Sequence, residues 1–247
     1  MDSTFATGIC FLAIAMLYST VGHAGASGYL AAMALLSFSP AVMKPAALSL
    51  NIVVALVASA RFYSAGLFSW RLFWPFALAS VPMAYLGGRL SVDPAVYRTL
   101  VGCSLLFSAF YMIIRFRSMK DEEEEDCREP GIAGSLASGA VIGLVSGLTG
   151  VGGGIFLSPL LVIFRWSPLR RVSALAAVFI LLNSVSGLAG YIQKGGEMPE
   201  HLALWGPMVL AGGYIGSTLG ATRFNTRTLR ALLSVMLALA GIKMLPL

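Results

Sequence analysis

The chain has 247 residues, 57% of them hydrophobic and only 11% charged, with a formal net charge of +6. A soluble domain carries about 25% charged residues, so this composition, with a mean hydropathy of +0.83, cannot cover a water-facing surface and excludes an ordinary soluble protein. The positive balance is not a nucleic-acid footprint either, because no basic stripe interleaved with aromatics exists and Lys and Arg fall mostly at the ends of apolar runs, where they act as topology signals.

The start, Met1 to Gly8, lacks the basic region of a cleaved signal peptide, so the first apolar run is read as part of the mature protein. Apolar runs fall at 4–21, 29–38, 46–63, 72–90 and 96–114, then at 132–149, 155–164, 172–192, 202–221 and 228–246. Between the two sets lies an acidic linker holding Asp121 to Asp126 and Glu129, too charged to bury. The expected organisation is a membrane repeat over 1–116, a solvated linker over 117–131 and a second membrane repeat over 132–247. Cys10, Cys103 and Cys127 are odd in number and have no metal-like spacing. No metal or cofactor is expected.

The two sets match. Ser39-Pro40 recurs as Ser167-Pro168, Gly66 as Gly195, Tyr85-Leu86-Gly87 as Tyr214-Ile215-Gly216, and Arg98-Thr99-Leu100 as Arg227-Thr228-Leu229. Each set opens on a run interrupted by glycine. The first break holds Gly22, His23, Gly25, Ser27 and Gly28; the second holds Thr149, Gly150, Gly152, Gly153 and Gly154. As one helix, residues 5–37 would be roughly 50 Å long, against a hydrocarbon core of about 30 Å. The glycines are therefore expected to fold each opening run back as a hairpin.

A hairpin leaves an odd number of spans in each half and inverts one half against the other. Most arginines, including Arg61, Arg71, Arg115, Arg165 and Arg171, then share the linker's side, a positive-inside pattern. The expected fold is thus an all-α integral membrane protein of two inverted repeats, each a glycine-broken hairpin plus three transmembrane helices.

Small anions are the expected cargo. A helix that starts after a glycine break presents free N–H groups and the positive end of its dipole, and broken helices are a recurring substrate site in transporters. No Asp or Glu lies within an apolar run, which counts against a cation transporter. Asn51 and Asn183 are the asparagines within apolar runs; each could bind an anion through its amide or glue helices together. Ser27, Thr149 and Ser158 offer hydroxyls beside the breaks, with a back-bond to their own helix as the alternative. His23 is the histidine within an apolar run, which makes it the candidate carrier if a proton is the coupling ion. Gly139, Gly143 and Gly147, four apart, read as a packing face. Each Ser-Pro pair reads as a helix N-cap followed by a first-turn proline.

Gly147-Leu148-Thr149-Gly150-Val151-Gly152-Gly153-Gly154 followed by Leu157-Ser158-Pro159-Leu160-Leu161, together with Tyr191-Ile192-Gln193-Lys194-Gly195, resembles the sulfite exporter TauE/SafE family of membrane permeases. The first break departs from the family's glycine-richer pattern. The resemblance spans essentially the whole chain. It implies a bacterial inner-membrane permease for sulfur-containing anions such as sulfite, thiosulfate or sulfoacetate, and no catalytic residues. Two other classes compete. Gly25-Ala26-Ser27-Gly28 has the form of a rhomboid intramembrane serine protease motif, which needs a histidine base near Ser27. A purely structural membrane protein is the third.

The inverted arrangement fixes sidedness. In Asp2→Cys and Glu124→Cys variants, an impermeant thiol reagent should reach the two positions from opposite sides of the membrane; labelling of both from one side overturns it.

Overall fold

The computed structural model describes residues 2–20, 25–117, 128, 130–219 and 226–245. Among these are ten helices and no strand: α1 (Asp2–Thr20), α2 (Ala26–Leu35), α3 (Pro40–Ser64), α4 (Trp70–Arg89), α5 (Pro94–Arg117), α6 (Ile132–Thr149), α7 (Gly154–Ile163), α8 (Leu169–Gln193), α9 (Leu202–Leu219) and α10 (Thr226–Met244). Stretches within α3, α5, α6 and α8 are each long and apolar enough to cross a membrane. The protein is an all-α integral membrane protein.

The second five helices follow the first five in order, and the backbone enters the left-handed region at matched places. Gly25 (φ 83°) precedes α2 and Gly153 (φ 82°) precedes α7. Ser37 and Arg165 end those short helices at φ 61° and 52°, and Gly66 and Gly195 end α3 and α8. After Ser37 and Arg165 the same closing bonds form, from Phe38 N–H to Met33 O and from Trp166 N–H to Leu161 O. The Ser-Pro expectation needs one correction. Pro40 is the first residue of α3, but at α8 the cap is Pro168 itself, and neither cap donates or accepts a side-chain capping bond. Extended backbone at Ser39 and at Pro168 itself, not a hydroxyl, marks these helix starts.

Each opening run does fold back. Ser27 at the start of α2 meets Tyr18 near the end of α1, with the hydroxyls 3.1 Å apart. At the other end, Phe38 and the start of α1 meet the same residue, Trp205, whose Nε1 donates to Thr4 O at 3.2 Å. The α6–α7 pair likewise returns on itself: the N–H of Arg128, before α6, donates to Arg165 O, after α7.

Glycines set the packing between halves. Gly139, Gly143 and Gly147 of α6 press on the backbone carbonyls of Phe76, Ser80 and Ala84 of α4, in register and parallel. Gly212 and Gly216 of α9 press in the same way on Leu12 and Met16 of α1. So each opening helix is clasped by a helix of the other half. The positionally equivalent pairs run antiparallel. Along α3 and α8, Tyr191 meets Ala41 while Leu48 meets Gly187; along α5 and α10, Gly102 meets Leu245 while Leu106 meets Gly241. Without a hydrophobic drive between helices in lipid, this close approach is what holds the bundle.

Gly143→Leu should therefore cost about 1–3 kcal/mol or more and lower the thermal unfolding midpoint in detergent. Gly134→Ala, at a position with open space around it, should leave the midpoint unchanged or slightly raised.

Candidate functional site

The second break is built from three left-handed glycines, Gly150 (φ 85°), Gly152 and Gly153 (both 82°), a conformation that side-chain-bearing residues rarely adopt. Its freed carbonyls are satisfied by the first half of the chain. Asn51 Nδ2 of α3 donates to Gly150 O at 3.1 Å, and the Tyr97 hydroxyl of α5 donates to Thr149 O at 3.1 Å. Thr149 is occupied locally: its hydroxyl donates to Val145 O and accepts from Val151 N–H. Ser158 back-bonds to Gly154 O. In α7 the N–H groups of Phe156 and Leu157 both go to Gly153 O, leaving those of Gly154 and Ile155 ahead of the helical ladder.

Gly152 faces the polar centre. A side chain there would touch Asn51 Nδ2 and Ser184 Oγ at 3.2 Å, and Ile180. Asn51 and Ile180 lie close to the midpoints of α3 and α8, two helices of 25 residues each. Asn51, Asn183 and Ser184 are all fully buried. Yet Asn51 Oδ1, both amide atoms of Asn183 and Ser184 Oγ have no hydrogen-bond partner. A buried polar group left unmatched costs about 1–3 kcal/mol, and Asn51 and Ser184, which both lie against Gly152, form the candidate polar site. Gly153 and Gly154 turn instead to apolar neighbours, Phe179 and Ile142 for the first and Ile180 for the second.

Of the first break, Gly22 and His23 lie outside the described residues. Gly25 caps α2, and its side-chain position is filled by the ring end of Tyr29, whose hydroxyl is unpartnered. Ser27 and Gly28 face α1, the latter against Ile14 and Tyr18. The short helices α2 and α7 both pack on α5, where Phe107 stacks on Phe156 with ring centroids 5.5 Å apart.

Three residues escaped the sequence reading. Ser184 gives no signal, since serine in a membrane helix usually bonds to its own backbone. Tyr97 lies near the start of an apolar run and looks like an interfacial tyrosine. Lys44 is the third. It was placed between two runs, but it sits buried in α3, and its ammonium donates to the carbonyls of Gly87 (2.9 Å), Gly88 (3.0 Å) and Leu90 (3.5 Å). It thereby caps the C-terminus of α4, where the dipole favours a cation. The Ser39-Pro40 start signal carried that information, because a helix from Pro40 must contain Lys44.

For the protease alternative, Ser27 meets a tyrosine. His201 sits over Trp205 at the opposite end of the α1–α2 hairpin, its ring 5.6 Å from the indole.

Broken helices clasped by helices from the other end of the chain, with buried polar groups at a helix start, fit a multi-pass membrane transporter. The comparisons agree. The chain matches the family described as Sulfite exporter TauE/SafE over residues 7–244. It is 40% identical over 237 residues to a probable membrane transporter protein of Sinorhizobium fredii, covering 96% of each chain. It is 29% identical over 193 residues to a probable membrane transporter protein of Methanocaldococcus jannaschii, covering 72% of this chain and 68% of the relative. No solved structure matches. The chain belongs to the sulfite exporter TauE/SafE family.

Lys44→Met should destabilise the protein by about 2 kcal/mol, because it strands buried carbonyls that a charged donor now satisfies. Lys243→Met, which removes exposed bonds to Leu35 O and Ser37 Oγ, should stay within about 0.5 kcal/mol. Thermal unfolding in detergent compares the two.

Proposed function

We propose that the protein transports a small sulfur-containing oxyanion or organosulfonate (sulfite-, thiosulfate- or sulfoacetate-like) across a bacterial inner membrane. The cargo binds between the glycine breaks, where the two halves meet. The observation that carries this reading is that Asn51 and Ser184, whose buried side chains keep unpartnered polar atoms, both lie against Gly152 just before the start of α7; Asn183 is likewise buried and unpartnered on α8.

The cluster suits an anion that must also leave. Backbone N–H groups and amide and hydroxyl dipoles supply partial positive charge, while the buried lysine nearest the break is already committed to the end of α4. The cluster holds acceptors as well as donors. An oxyanion carrying one proton, such as a singly protonated sulfite, matches both. The family supplies the sulfur class, and the unpaired donors supply the preference for an anion. The protein performs no chemistry on its cargo. Residues 1–116 and 132–247 form the two inverted membrane units, with 117–131 on the cytoplasmic side, and a proton carried by His23 is the coupling ion.

Flux into proteoliposomes tests this. Labelled sulfite, thiosulfate, sulfoacetate and acetate are compared with and without a pH gradient. One or more of the sulfur anions should move faster than acetate. Gly152→Val should lower that flux roughly tenfold or more, a loss of at least ~1.4 kcal/mol. A His23→Gln protein should lose the response to the gradient between about pH 5 and 8. Wild-type flux in a well-folded Gly152→Val protein shows that the cargo binds elsewhere, and acetate moving as fast as the sulfur anions removes the substrate assignment.

A further inference from the structure

Three helices, α4, α6 and α8, run parallel and share a seam. Phe76, Ser80 and Ala84 of α4 lie against Gly139, Gly143 and Gly147 of α6. Phe73, Val81 and Tyr85 of α4 meet Phe179, Ser186 and Gly190 of α8 in the same order. Phe76, Ile142 and Phe179 belong to one apolar cluster, and a side chain at Gly153 would touch both Ile142 and Phe179. One turn further along each helix stand Ser80, Ser146 and Asn183. Equal rise on parallel helices brings these three to a common level too. They are 1%, 0% and 0% exposed. Both hydroxyls and both amide atoms of Asn183 are without a partner.

These hydroxyls depart from the habit of serine in this chain. Ser104, Ser108, Ser135 and Ser158 each donate to the carbonyl one turn back, whereas Ser80 and Ser146 do not. Their level adjoins the second break. The Gly150 N–H donates to Ser146 O, and Asn183 is followed by Ser184, whose Oγ lies beside Gly152. The unpartnered polar atoms thus form two groups, Asn51 and Ser184 at Gly152, and Ser80, Ser146 and Asn183 at the seam. On the linker side of the seam group, the layer of Phe76, Ile142 and Phe179 is apolar.

We propose that Ser80, Ser146 and Asn183 form a second wall of the cargo site, and that this wall selects an oxyanion with three or more oxygens over a planar carboxylate. The proposal rests on the transport reading given above. Hydroxyls and a primary amide offer hydrogen-bond donors without a fixed charge that would trap an anion. A carboxylate holds its two oxygens in one plane, and the donors at Gly152 suffice for it. A sulfite or sulfonate group spreads three oxygens around sulfur, so with one side toward Gly152 it still presents oxygen to the seam.

Thermal unfolding of the full-length protein in nanodiscs reads binding, with sulfite, thiosulfate, sulfoacetate and acetate titrated separately. At least one sulfur anion should raise the wild-type midpoint saturably, at lower concentration than acetate does. In a Ser80→Ala/Ser146→Ala protein the unliganded midpoint should stay or rise, because no hydrogen bond is lost. The concentration giving half the effect should increase roughly tenfold or more for that sulfur anion and little for acetate, so the preference collapses. Each single variant should show part of this loss and decides the matter if the double variant does not fold. Ser59→Ala removes another buried, unpartnered hydroxyl, eight residues beyond Asn51 in α3, and should leave binding unchanged. A wild-type midpoint that no sulfur anion moves overturns the transport reading and this proposal with it. An effect abolished by Gly152→Val but unaltered in the serine variants overturns the second wall alone. So does a fall in the unliganded midpoint of either single variant, which assigns the hydroxyls to packing, and so does an equal loss for acetate.

Discussion

A helix can be interrupted inside a membrane only if the protein itself satisfies the backbone groups the interruption frees. Here that condition is met by two side chains from elsewhere in the chain, Asn51 on Gly150 O and Tyr97 on Thr149 O. Both donors belong to the first half, and the break belongs to the second. The bonds tie α3 and α5 to the end of α6, and they hold Gly152 open toward the centre instead of letting α6 and α7 join as one helix. Lys44, seven residues before Asn51 in α3, does similar work on the last carbonyls of α4. The polar interior is thus a set of backbone repairs, and the unpartnered polar atoms beside Gly152 are what those repairs leave over.

Much of the fold was legible because the membrane imposes it. The run 132–149 coincides with α6, and the run 155–164 is offset from α7 by a single residue. Glycines four apart on α6 announced a close helix contact. They could not name α4 as the partner, because a small-residue face says how near a neighbour lies and not which one it is. At the site, Asn51 stood out as an amide in an apolar run, and the structure shows it serving as glue through Nδ2 with its Oδ1 free. Thr149 and Ser158 had the same apparent promise but spend their hydroxyls on their own helices. Ser184 is indistinguishable from them in sequence, yet its hydroxyl is buried without a partner.

A few backbone features recur in the first and second five helices while the side chains beside them differ. Gly25 and Gly153 cap equivalent short helices in the same conformation. Asn51, however, stands at the position in α3 that Ile180 takes in α8. An inverted pair of identical units would treat the two faces of the membrane alike. In such a pair, any difference between the faces would have to come from side-chain substitutions of this kind.

The clasping of α6 by α4, and of α1 by α9, has a mechanical consequence. The natural seam in the sequence, the acidic linker, is not a seam in space. Each half lends a full-length helix to steady the opening hairpin of the other, as two hands grip each other's wrists. Severing the chain at the linker would give fragments whose opening helices each lack their support, so neither could stand as a unit without the other. Any rigid bodies that shift during transport must likewise each draw helices from both ends of the chain.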